Sequence, residues 1–175
     1  MTGEPTTPLP SAKAFAEDER SVLFGYLDYH RAVLARKVDG MSEEQARLAA
    51  CPPSDLTLLG LLRHMTEGER MWFRRSLFAE DAPPIYYRTI DGVDDDGDLH
   101  PPPGATLADA LAAYWAEIDV ANRNLADASL DDVGKGEPDQ GHSVRRTIVH
   151  MIEEYARHCG HADLLRQAID GTTGD

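Results

Sequence analysis

SVRRTIVHMIEEYARHCGHADLLRQAIDG, the stretch from Ser143 to Gly171, decides the fold. Ser143 suits an N-cap and Gly171 a helix stop, so one long helix is predicted between them. At about 100° per residue, with His150 set at zero, His161 falls near 20°, Glu154 near 40° and His158 near 80°. Leu165, Met151, Tyr155 and Ile148 fill roughly 60° to 160° on the same wheel. Glu154 and His158 therefore stand along the edge of a buried face.

Working outward, three more long segments carry helical periodicity. The first runs from about Phe15 to Val38 and places Val22, Leu23, Tyr26, Leu27, Val33 and Leu34 on one side. A short helix is predicted from a Ser42 cap to Ala50, before Pro52 and Pro53 break the chain. The second long helix spans about Thr57 to Phe78, and the third runs from a Thr106 cap to about Ala128. Between them, Ala79 to Gly104 reads as a long loop, a feature uncommon in small domains and often functional. Its stretch Ile85 to Ile90 suits a short extended piece, and no segment reads as a convincing strand. Four amphipathic helices without a sheet predict an all-α four-helix bundle.

The 175 residues are one domain by length. Residues 1–12 are expected to be a disordered lead-in and 13–171 the bundle. Met1 to Pro10 lacks the basic start and apolar centre of a signal peptide, and no apolar run is long enough to span a bilayer. A cytoplasmic location follows as an expectation. Two cysteines, Cys51 and Cys159, make no disulfide framework. Lys plus Arg is 17 and Asp plus Glu is 31, a net charge of −14. That excess argues against nucleic acid and against an anionic membrane as partners, since both need a basic face.

A carboxylate and an imidazole buried without partners cost several kcal/mol, and a divalent cation removes that cost. Glu154 and His158 are at i and i+4 and can reach one ion from one helix face. By itself such a pair occurs by chance in many helices. The second helix offers His64 at the border of its apolar face, with Gly60 and Gly68 one turn to either side. The glycines fit a close approach at His64 or a helix–helix crossing, and the two readings are compatible. One His from that helix with Glu and His from the last makes a three-ligand N₂O set with open positions. Zn²⁺ heads the fitting ions, followed by Ni²⁺, Fe²⁺ and Mn²⁺.

The stretch Leu61-Leu62-Arg63-His64-Met65 with Glu67 and Trp72, and the run His150 to Arg166, resemble the DinB-like superfamily. Together with Leu27-Asp28-Tyr29-His30-Arg31, they look most like its actinobacterial branch once catalogued as a domain of unknown function. The resemblance covers roughly Phe15 to Gly171. It implies up-down-down-up topology and a metal held at His64, Glu154 and His158. Many relatives carry His where Glu154 stands, whereas the thiol-dependent maleylpyruvate isomerase branch carries Glu. Relatives work with mycothiol, bacillithiol or, in a fused form, ergothioneine synthesis. The resemblance thus implies a metal-dependent S-transferase or isomerase, with a low-molecular-weight thiol and an electrophile as small-molecule partners. The alternative is a non-catalytic metal-binding or structural bundle of stress-related role.

Other residues keep two readings each. His161, one turn past His158, suits a fourth ligand or a group that orients a ligand. Arg157 suits an anionic substrate or an ion pair with Glu153 or Glu154. His30 suits an interior site or a substrate pocket, and Arg157 and His30 are the candidate cofactor-binding residues. Cys159 projects about 100° from His158, which makes it a poor nucleophile. An exposed bundle face leaves room for a homodimer.

Overall fold

Each helix starts on a side chain that satisfies an otherwise orphaned backbone N–H. Asp18 accepts from Ser21 N at 2.8 Å ahead of α1 (Glu19–Arg36). Ser42 and Gln45 form a reciprocal capping box on α2 (Glu43–Ala46). Thr57 accepts from Gly60 N ahead of α3 (Leu58–Arg70), Thr106 from Asp109 N ahead of α4 (Leu107–Leu125), and Ser143 from Arg146 N ahead of α5 (Val144–Asp170). Gly171 closes α5 with φ 80°, a left-handed conformation that favours glycine.

This computed structural model describes residues 6–11, 18–90, 93–137 and 141–174. The expected start of the first helix at Phe15 lies outside them. The helix expected over Ser42–Ala50 is shorter, ending at Ala46, because a single capped turn this short gains little from propagation. The second long helix continues past α3 as a π-helical segment, Met71–Ser76, where an extra residue per turn rotates the face presented to the bundle. The loop after it contains a two-residue antiparallel ribbon of β1 (Thr89–Ile90) and β2 (Val93–Asp94). Of the expected lead-in, residues 6–11 are described, and Thr6 and Thr7 bond the Asp39 carboxylate beyond α1.

Cross-helix contacts fix the direction of every rod. Arg145 at the start of α5 pairs with Glu19 at the start of α1 at 2.8 Å, and Arg166 near its end donates to Lys37 O, so α1 and α5 are parallel. Arg70 meets Glu117, and Phe73 O accepts from Asn124, so α3 and α4 also run parallel. Arg20 reaches Leu125 O while Tyr114 reaches Arg31 O, so α1 and α4 are antiparallel. The bundle is up-down-down-up, as the resemblance implied. Its core is built from Leu27, Leu34, Leu61, Leu62, Met65, Phe73, Leu125, Ile148 and Met151, all buried. Among the described residues, no helix is long and apolar enough to cross a membrane.

Charge lies at the centre of this apolar core. Arg31, 1 % exposed, grips Glu69, 0 % exposed, through Nε–Oε1 at 2.8 Å and Nη2–Oε2 at 2.7 Å. Tyr155 donates to Glu69 Oε1 at 2.7 Å, and Arg31 Nη1 donates to Asn122 Oδ1 at 2.9 Å. The network touches α1, α3, α4 and α5. Burial and the adjacent Glu69 carboxylate push the Tyr155 hydroxyl well above its usual range, which keeps it a donor. Removing one member leaves a buried charge uncompensated. Glu69→Ala is expected to cost about 3–5 kcal/mol in urea unfolding, and the apolar double change Arg31→Met with Glu69→Leu much less. A Glu69→Ala midpoint equal to that of the unaltered protein would contradict this.

Candidate metal centre

α3 and α5 run antiparallel and bring two pairs of rings together, one of them a histidine pair. The Trp72 and His150 rings lie 4.5 Å apart, and the His64 and His158 rings 4.8 Å apart, both edge-on. One ligand atom each from His64, Glu154 and His158 falls within 4.8 Å of the others. Glu154 Oε2 is 3.6 Å from His158 Nε2, too long for a hydrogen bond. The helical spacing that puts Glu154 and His158 on one edge of α5 thus meets His64 across the helix gap.

Carboxylates and cations outside the trio hold its members in place. His64 Nδ1 lies 2.7 Å from Asp98 Oδ2, which leaves Nε2 as the free ring nitrogen. Arg157 donates to Glu154 Oε1 at 2.6 Å and also pairs with Glu153, leaving the second Glu154 oxygen toward His158. Burial, and next the neighbouring His64, lower the His158 pKa to about 4, so the imidazole is neutral at physiological pH. Neutral imidazoles and a carboxylate are the donor chemistry a divalent ion requires. The three residues fit such an ion.

Asp98 reaches His64 because α3 clamps the long loop along one polar stripe. A Cβ on Gly60 would sit 2.3 Å from Leu99 O, so only glycine admits the loop backbone there. Arg63 donates to Asp98 O and Gly97 O, and its guanidinium stacks on Tyr86. Glu67, 4 % exposed, accepts the backbone N–H groups of Ile85 and Tyr86, and Arg70 reaches Pro83 O. Gly68 instead packs at ordinary distance on Met151 of α5, a helix crossing. The close approach is thus made by the loop at Gly60, whereas Gly68, where a Cβ would meet only methionine side-chain ends at 3.6 Å and beyond, is not a crossing that needs a small residue.

A cavity of about 400 Å³ opens beside the trio, between α3, α5 and the loop. His64 and Glu154 stand in its wall, with Met65, Met71, Trp72 and Met151 as apolar lining. The π-helical segment supplies Met71 and Trp72 to that wall.

The remaining sequence candidates are placed as follows. His161 lies outside the three-residue group, with its Nδ1 3.4 Å from His158 Nδ1, on the ring edge away from Glu154. Arg157 is the ion-pair partner just described. His30 does not line the cavity. Its backbone carbonyl accepts from Cys159 Sγ at 3.6 Å, and its Nδ1 is buried without a hydrogen-bond partner. Asp98 and the Arg31–Glu69 pair escaped the sequence reading. The one available signal was the polar series Arg63, Glu67, Arg70 and Arg74, spaced by three and four along one side of the helix.

The family model described as Mycothiol-S-transferase matches residues 22–171. No match was found among curated proteins. Among solved structures, the chain is similar to the conserved protein of a locus from Enterococcus faecalis, with a TM-score of 0.62 at 16% identity, covering 90% of this chain and 100% of that one. At that identity the likeness speaks for the fold.

Two outcomes follow from this geometry. Asp98→Asn is expected to weaken Zn²⁺ binding by about 10–100-fold in chelator competition while leaving the helical circular dichroism intact. Unchanged affinity would show that the loop carboxylate has no hold on His64. Burial pushes the Cys159 thiol up to about 12, so iodoacetamide at pH 8 is expected to label Cys159 only after denaturation, as read by peptide mass spectrometry.

Proposed function

Because the chain belongs to the mycothiol S-transferase family, we propose that it is a metal-dependent transferase of a low-molecular-weight, mycothiol-type thiol. The observation that carries this reading is the gathering of His64, Glu154 and His158 donor atoms within 4.8 Å at the wall of a cavity. His64 through Nε2, a Glu154 oxygen and the His158 imidazole would hold the cation. When bound, a divalent ion supplies Lewis acidity that lowers the pKa of an adjacent thiol.

The chain's own residues supply position. Asp98 sets the His64 ring, and Arg157 sets Glu154. The neutral state of His158 keeps protons from competing for the site at physiological pH. Met65, Met71, Trp72 and Met151 present an apolar wall on the side on which an electrophile would lie. In the reaction the thiol gives its proton to solvent and its sulfur forms a bond to the electrophilic carbon. The leaving group departs with the electron pair of the broken bond.

The Zn²⁺- or Ni²⁺-loaded protein is expected to consume mycothiol in the presence of a generic electrophile. His64→Ala is expected to reduce that rate by at least ~100-fold, with a parallel loss of bound metal by elemental analysis. Thiol consumption at an unchanged rate in His64→Ala would refute the proposal.

A further inference from the structure

The charges around the cavity select the electrophile. Five carboxylates line it: Glu67, Asp95, Asp96, Asp98 and Glu154. Among the described lining residues there is no Lys or Arg. The cations nearby are engaged elsewhere. Arg63 is bound to two loop carbonyls, Arg157 to Glu153 and Glu154, Arg75 to the Tyr87 hydroxyl and Arg88 to Asp95, and Arg146 stacks over Trp72 at 5.5 Å outside the lining. The cavity floor is apolar and polarisable, made of three methionines and the Trp72 indole. Such a wall gains from burying apolar carbon and repels a ligand of its own charge sign.

We infer that the cavity takes an uncharged, apolar electrophile and rejects carboxylate anions. The inference rests on the transferase reading for its reaction but on the cavity wall for its selectivity. A divalent ion held by His64, Glu154 and His158 would add positive charge at the end of the cavity where the thiol would bind. Beyond that point the charged side chains of the lining are carboxylates, among which Asp95 is shared with Arg88 at 3.6 Å. Arg157, the residue best suited to clamp a carboxylate, is already occupied by two.

The test uses matched probes on the Zn²⁺-loaded protein. For turnover, 1-chloro-2,4-dinitrobenzene is compared with 4-chloro-3,5-dinitrobenzoate, each corrected for its uncatalysed rate with mycothiol. For binding alone, nitrobenzene is compared with 4-nitrobenzoate by saturable quenching of Trp72 emission in a Trp115→Phe background. The uncharged member of each pair is expected to be favoured by roughly tenfold or more. Asp96→Lys, a change at an exposed rim position, is expected to shrink that preference. Equal or stronger binding of the nitrobenzoate, or no saturable quenching by either probe, overturns the inference. Selective binding without turnover of either chloride would sustain the inference while refuting the transferase reading. Turnover that favours the benzoate would do the reverse.

Discussion

The Arg31–Glu69 pair is the constraint on which the other contacts depend. Two opposite charges, each almost without solvent, are tolerable only if both guanidinium edges and both carboxylate oxygens find partners. Tyr155 and Asn122 complete that count. Such a network permits little sliding, because a shift of one helical turn would strand a charge in an apolar core. Glu69 lies five residues beyond His64 on the second rod, and Tyr155 adjoins Glu154 on the last. The hydrogen bond between Glu69 and Tyr155 thereby sets the register in which His64 meets Glu154 and His158.

The long loop is a second structural element rather than slack chain. α3 presents its apolar residues to the bundle and a stripe of Gly60, Arg63, His64, Glu67 and Arg70 to the loop. Burying Glu67 raises its pKa, and the two backbone N–H groups it accepts oppose that shift. The same stripe carries the metal-ligand candidate, so loop and ligand are positioned by one helix. This arrangement explains how a 2.7 Å contact from Asp98 can be made by a segment with almost no regular structure.

Site and surroundings also divide the electrostatic work. Near the trio, each charge is met by a local partner: Glu154 by Arg157 and Asp98 by His64. Away from it, the cavity combines a methionine and tryptophan floor with further carboxylates, Asp95 and Asp96, of which Asp95 is shared with Arg88 at 3.6 Å. The net charge of −14 noted in the sequence is therefore not only a diffuse property. Part of it is concentrated where a small molecule would enter.

Periodicity and capping alone determined the helices, their number and most of their ends. Ser42, Thr106 and Ser143 were legible as caps because they act within a few residues of themselves, while Asp18 and Thr57 are caps that the structure adds. The shared edge of Glu154 and His158 was legible for the same reason, since both belong to one helix. The meeting of His64 with that pair was implied by resemblance, and packing brought it about across some ninety residues of chain. Asp98, the burial of Arg31 with Glu69 and the closed approach at Gly60 were decided by the tertiary structure alone. Each depends on which surfaces touch after collapse, and a loop without periodicity carries no signal of where its one decisive side chain will land.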